Sequence, residues 1–283
     1  MKLGIHAYAW TSQWTDKSLG LIGRAKKLGL DFIEIPLMDF ETISPFKIKN
    51  RLDKEGMLVC TSTALNESQD ITGDNAVTRR RGIEYLKDCV KTTARMGGRN
   101  FSGVIYSSIG KRCDERPRRK DWDRSADGLR EVAKVAEDFG ITLGIEPVNR
   151  YETYLINTCS QALKLQKMIG RPNVKIHLDT YHMNIEEKDF YKATMLAKDN
   201  LCHFHLCEND RGVPGTGLVD WDGIFKALAE QKYDGFAALE SFVDVAPGMA
   251  SATCVWRDLA PSGNVLVKEG VKFIKEKIKK HFK

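Results

Sequence analysis

The sequence has no run near the roughly 18 uninterrupted apolar residues that cross a bilayer, so no membrane-spanning helix is expected. Its first residues, MKLGIHAYAW, enter a strand-like pattern at once. They lack the long apolar stretch and small-residue cleavage site of a secretory signal, so none is expected. No C-x-x-C pair occurs among the seven cysteines, whose number is odd and whose spacing is scattered. That argues against a disulfide framework and a zinc ribbon, and makes a reducing cytoplasm the default. A G-x-G-x-x-G fingerprint after the first strand-like run is missing, which weighs against a doubly wound dinucleotide fold. There is no low-complexity segment, and no Pro/Gly/Ser linker long enough to divide domains. Charge of one sign is also lacking: 44 Lys plus Arg stand against 38 Asp plus Glu, a net of +6, with the two signs alternating along most of the chain. That balance does not indicate nucleic acid as a partner.

What is present is globular. The 283 residues are 42% hydrophobic and 29% charged, enough for a sizeable core in one large domain or two small ones. Eight short runs read as strands: residues 2–9, 31–36, 57–62, 100–106, 141–146, 174–179, 201–206 and 235–240. Amphipathic stretches lie between them. Leu19, Ile22, Ala25 and Leu28 share one helical face, and Ala126, Leu129, Val132, Ala133 and Ala136 another, as do Ala162, Leu165 and Ile169. Residues 221–233 and 268–280 give the last two helices. Gly29, Gly140 and Gly170 each close a helix shortly before a strand. Strand and helix alternating eight times, at about 35 residues per unit, predicts one α/β domain over residues 1–283: a (β/α)₈ TIM barrel with its active site at the C-terminal face of the strands.

The strand ends carry the chemistry. Four successive strands close on Glu146, Asp179, His205 and Glu240, each after apolar or small residues. Three carboxylates and an imidazole gathered at one barrel mouth would be costly to bury without compensation. A divalent cation is the simple remedy, and three oxygens plus one nitrogen suit Mn²⁺, Mg²⁺ or Co²⁺, with Zn²⁺ or Fe²⁺ also possible ions. Glu152, Arg150, His182 and Arg211 follow on loops leaving the same face. Each can equally be read as an ion-pair partner or a helix cap. His203, His205 and Cys207 share parity on the seventh strand, the pattern of a thiolate zinc site. The hard oxygen donors on the other strands argue against it.

The strings GIEPVNRYE, HLDTYHMNIEE, HFHLCENDRGVPGTG, ALESF and VWRDL resemble the D-tagatose 3-epimerase/D-allulose (D-psicose) 3-epimerase family, within the xylose-isomerase-like barrels. The resemblance runs from Met1 to about Leu259 and is tightest after Ile141. It implies a metal, commonly Mn²⁺, on Glu146, Asp179, His205 and Glu240, with Glu146 and Glu240 also the catalytic acid/base pair. It implies that Glu152, His182 and Arg211 hold the O1 to O3 end of a sugar, and that the chain forms a homodimer or homotetramer. The implied reaction inverts C3 of a free ketose through a cis-enediolate. At the distal end Trp14 matches relatives, whereas His6 stands where they tend to have Phe or Tyr, and Ile109 about where they usually carry Trp. The loop from Lys111 to Lys120 is basic, which raises a phosphorylated or carboxylated substrate as the alternative. Rival functions are an aldose–ketose isomerase, an apurinic endonuclease and a non-catalytic sugar-binding barrel. The endonuclease needs many more His ligands than this chain's six His supply.

Overall fold

The computed structural model describes residues 1–242 and 249–282. Eight parallel strands close into a barrel in chain order: β1 (Lys2–His6), β2 (Phe32–Pro36), β3 (Leu58–Leu65), β4 (Asn100–Ser108), β5 (Thr142–Ile145), β6 (Val174–Asp179), β7 (Leu201–Leu206) and β8 (Phe236–Leu239). Gly4 on β1 is aligned with Phe32 on β2 and with Ala238 on β8, which closes the ring. Helices α1 (Gly20–Lys27), α2 (Pro45–Glu55), α3 (Ala76–Arg95), α4 (Arg119–Asp138) and α5 (Cys159–Ile169) follow the first five strands. Two short helices, α6 (Thr180–Glu186) and α7 (Phe190–Ala197), link β6 to β7. Helix α8 (Trp221–Glu230) precedes β8, and α9 (Met249–Thr253) and α10 (Gly263–His281) follow it. This is the TIM barrel expected from the alternation, with an extra helix between β6 and β7 and another after β8. Among the described residues no helix is long and apolar enough to cross a membrane.

Three strand ends shift by two residues or more from the sequence expectation: β1 stops at His6, β3 runs on to Leu65 and β4 to Ser108. The first run stops being a strand at His6, because the His6 Nδ1 accepts the Tyr8 N–H at 3.2 Å and turns residues 7–9 into a 3₁₀ helix. Strand β4 continues to Ser108, with all nine of its residues buried. The helix boundaries follow from capping. In α5, Thr158 and Gln161 form a capping box, and Gly170 ends the helix at φ 67°, a conformation costly for a side chain with Cβ.

Strand β6 shows how the layers form. Val174, Ile176 and Leu178 belong to the apolar core between barrel and helices, whereas His177 and Asp179 have the opposite parity. Each fully buried Ile or Leu of that core contributes about 1.5–3 kcal/mol. The barrel interior is separate. It begins with an apolar plug of Phe32, Cys60 and Ala238, with Phe236 packed against it. Above the plug come histidines and carboxylates.

Candidate active site

The strand ends deliver four donors to one place. Asp179 is the last residue of β6, His205 lies on β7, and Glu146 and Glu240 come directly after β5 and β8. All four are buried. The His205 Nδ1 is 3.6 Å from Glu146 Oε1, 3.6 Å from Asp179 Oδ2 and 3.4 Å from Glu240 Oε1, yet makes no hydrogen bond. A buried nitrogen without a partner, ringed by carboxylate oxygens, is a donor set that fits a divalent cation. The electrostatics agree. Burial opposes charge on His205, but the Glu240 and Glu34 carboxylates outweigh it and raise its pKa well above the ordinary imidazole value. The field that holds a proton on this ring is the field that would attract a cation in its place. Burial raises the Glu146 carboxyl above its ordinary range, with His205 pulling against it. Burial works the same way on Asp179, but Arg211 and His182 hold it well below the usual carboxylate range.

A second polar tier lies beneath, and sequence reasoning missed most of it. Glu34 of β2 is fully buried, and its Oε2 accepts from His203 Nε2 at 2.6 Å and His205 Nε2 at 3.0 Å. His177 packs edge-on against both of those rings, with neither nitrogen hydrogen-bonded. Burial pushes the His177 pKa well below its ordinary value, which keeps that ring neutral. The available signal was parity: an acid in the middle of FIEIP shares its face with Phe32 and Pro36, which is the barrel interior. His203 is tied to Glu34, and Cys207 Sγ lies by Asp179 Oδ2 and Glu240 Oε2 at 3.6 and 3.5 Å. His203 and Cys207 therefore belong to different polar tiers.

Arg211 crosses the mouth. Its Nη1 donates to Glu240 Oε2 and lies 3.4 Å from Asp179 Oδ2. Its guanidinium lies 4.0 Å from the ring centre of Tyr181 and 4.9 Å from that of Phe242. His182, in α6, receives the Asn149 N–H on Nδ1 at 3.1 Å. That hydrogen bond places the ring proton on Nε2, the nitrogen near Arg211. Glu152 Oε1 accepts from Asn149 Nδ2 at 2.8 Å and is 4.0 Å from His182 Nδ1. Arg150, by contrast, is engaged in a fork with Glu186, at 2.9 and 3.0 Å.

These groups line an open cavity of about 520 Å³. Glu146, Glu240, His205, Glu152, His182, Arg211, His6 and Ile109 are all on its wall, together with Tyr8, Gln13, Thr63 and Phe242. Asp179 sits behind the wall. Trp14 is placed differently from the expectation: it is packed into the apolar core at 2% exposure, and Ser12 and Gln13 of the same segment face the cavity instead. A large indole gains more from burial among apolar side chains than a short polar residue does. His6 hydrogen-bonds Ser62 Oγ at 3.1 Å. The basic loop does not reach the cavity. Lys111 pairs with Asp70 at 2.7 Å, Arg119 with Asp123 at 2.8 Å and Lys120 with Asp74 at 2.8 Å. Among the described residues, Arg211 is the one Lys or Arg on the cavity wall.

Comparison with known proteins identifies the family. The profile of the family described as xylose isomerase-like TIM barrel matches residues 22–277. The ketose 3-epimerase of Arthrobacter globiformis is 35% identical over 281 residues, covering 98% of this chain and 97% of that protein. Among solved structures, the D-allulose 3-epimerase from Methylomonas sp. in complex with D-allulose has a TM-score of 0.93 at 34% identity, covering 98% of this chain and 97% of that one. The D-psicose 3-epimerase with D-tagatose from Clostridium cellulolyticum H10 has a TM-score of 0.91 at 30% identity, covering 100% of both chains. The chain belongs to the xylose isomerase-like TIM barrel family and, within it, to the ketose 3-epimerases, enzymes of the isomerase class.

Proposed function

We propose that the protein inverts C3 of a free ketose of the D-tagatose, D-fructose or D-allulose type, using a divalent cation, Mn²⁺ first among the candidates, held by Glu146, Asp179, His205 and Glu240. The observation that carries this reading is the unpartnered His205 Nδ1 among three carboxylates, set in a cavity whose wall, among the described residues, has Arg211 as its one Lys or Arg. A phosphorylated sugar would call for more positive charge than Arg211 supplies, since Arg211 is already engaged by Glu240 and Asp179.

A bound divalent cation supplies Lewis acidity, which makes the hydrogen beside the ketose carbonyl easier to remove. The chain's residues do the rest. Inversion needs one group to take the C3 proton from one face and another to return a proton to the opposite face. Glu146 and Glu240 leave β5 and β8, which are not neighbours in the barrel, and both reach the cavity. Burial raises the Glu146 pKa, bringing a carboxyl closer to the range where it can both accept and give up a proton. Arg211 and the His182 Nε2–H are donors for the oxygen charge that develops in the enediolate. Glu152 accepts from the hydroxyls at the O1 and O2 end. Tyr8, Ile109, Val148 and Phe242 supply apolar wall that limits water around the reacting carbon.

Incubation with Mn²⁺ and D-fructose, D-tagatose or D-allulose in D₂O tests the reading. NMR of the products should show the C3 epimer with deuterium at C3. Deuterium at C1 or C2 would replace it with an aldose–ketose isomerase. A cytoplasmic location fits seven cysteines that are all free. Assembly into homodimers or homotetramers belongs to the same reading, and sedimentation velocity tests it.

A further inference from the structure

Among the described residues the fully buried Glu34 carboxylate has no Lys or Arg beside it: its partners are the imidazoles of His203 and His205, with His6 Nε2 3.9 Å from Oε1. A buried acid with only imidazoles for company is expensive. A barrel interior that tolerates it invites a reason beyond packing. The reason offered by the geometry lies in His205, whose two nitrogens face opposite ways. Nε2 points to Glu34, and Nδ1 points to Glu146, Asp179 and Glu240.

We propose that Glu34 is the positioning residue of the cation site, accepting the His205 Nε2–H so that the Nδ1 lone pair is aimed at the three carboxylates. An imidazole can offer a lone pair at one nitrogen only if its proton sits on the other, and a carboxylate on that other nitrogen fixes both the tautomer and the ring orientation. Strand β2 lies across the barrel from β7 and contributes none of the four donors, so Glu34 acts through His205 and not on the substrate. The same oxygen also accepts from His203 Nε2, but the bond to His205 is the one that reaches the cation site. The inference rests on the cation-site reading above and extends it to the tier below.

Glu34→Leu removes the acceptor, and Glu34→Gln keeps one acceptor but removes the charge. Mn²⁺ affinity, followed by the EPR signal of the free ion, should fall on the order of a hundredfold in Glu34→Leu and on the order of tenfold in Glu34→Gln. In ¹⁵N NMR of the Zn²⁺-loaded wild type, His205 should carry its proton on Nε2 with Nδ1 as ligand, and Glu34→Leu should lose that pattern. His203→Phe, which leaves Glu34 free to hold His205, should bind Mn²⁺ with about wild-type affinity. A purely structural role for the buried cluster predicts that His203→Phe weakens Mn²⁺ binding as much as the Glu34 variants do, and that result overturns the proposal. So does a folded Glu34 variant that binds Mn²⁺ as well as the wild type. Should Glu34→Leu fail to fold, Glu34→Gln decides alone by the same affinity measurement. Wild-type protein that binds neither Mn²⁺ nor Zn²⁺ overturns the cation reading itself, and this proposal with it.

Discussion

Glu240 is shared between Arg211 and His205: one carboxylate oxygen receives the Arg211 Nη1 hydrogen bond, and the other lies 3.4 Å from the His205 Nδ1. The guanidinium reaches this position by lying against the rings of Tyr181 and Phe242. A lysine has neither the planar fork nor the same stacking surface. Arg211→Lys should therefore lower kcat/KM by about a hundredfold, the scale of losing one donor to developing oxygen charge. Steady-state kinetics checks this, and an unchanged kcat would show that Arg211 only shapes the wall.

Glu146→Gln and Glu240→Gln test the acid/base pair directly. Each keeps the volume of the side chain and loses the proton-transfer group. Turnover should fall by about 10²–10⁴-fold, while circular dichroism remains that of the wild type. Near-normal epimerisation by either variant would remove that glutamate from the proposed chemistry.

Removing the cation should abolish turnover and lower stability together. After chelation, added Mn²⁺ should restore activity and raise the melting temperature. At a hundredfold excess over its dissociation constant, an ion bound only by the folded state adds about 2.7 kcal/mol. A melting curve insensitive to Mn²⁺ would contradict the site.

The basic loop should not govern substrate choice. Arg118 and Arg119 pair with Asp121 and Asp123 at the start of α4, away from the cavity wall. The double variant Arg118→Ala, Arg119→Ala should turn over free ketoses as the wild type does. A preference of the wild type for phosphate esters, lost in the double variant, would reverse the assignment of a free sugar.

Asp70 offers a pH test of stability outside the site. Burial works against its charge, but hydrogen bonds from Lys111 and Thr72 win, and its pKa is lowered in the folded state. A depressed carboxyl stabilises the fold above the unfolded pKa of about 3.9, and the gain is lost as pH falls through the folded value. Asp70→Asn should therefore cost about 1–3 kcal/mol at pH 7. The difference from wild type in urea unfolding should shrink below about pH 4. A constant difference across that range would mean that the contribution is not one of charge.

The barrel and its mouth were legible because both depend on local pattern. An apolar strand that ends in a carboxylate or an imidazole sets that group at the mouth, and four such ends in succession point to one shared site. The tier beneath was not legible in the same way. Glu34 is 169 residues from His203 and 171 from His205, and no spacing rule connects them. Trp14 shows the opposite failure. Sequence likeness put it at the sugar, but the turn begun by His6 is followed by a segment that buries the indole and turns its polar neighbours outward to the cavity.

The amino-acid sequence by itself determined the alternation of strands and helices, the parity that sends His177 and Asp179 inward, and the polar residues at the ends of β5 to β8. These follow from backbone periodicity and side-chain polarity, which act over a few residues. Only the closed barrel decided which nitrogen of His205 faces the carboxylates, that Glu34 lies under it, and that Lys111 and Lys120 of the basic loop pair with Asp70 and Asp74. Those are outcomes of which strand ends stand across from one another, and that distance is set when β8 pairs with β1.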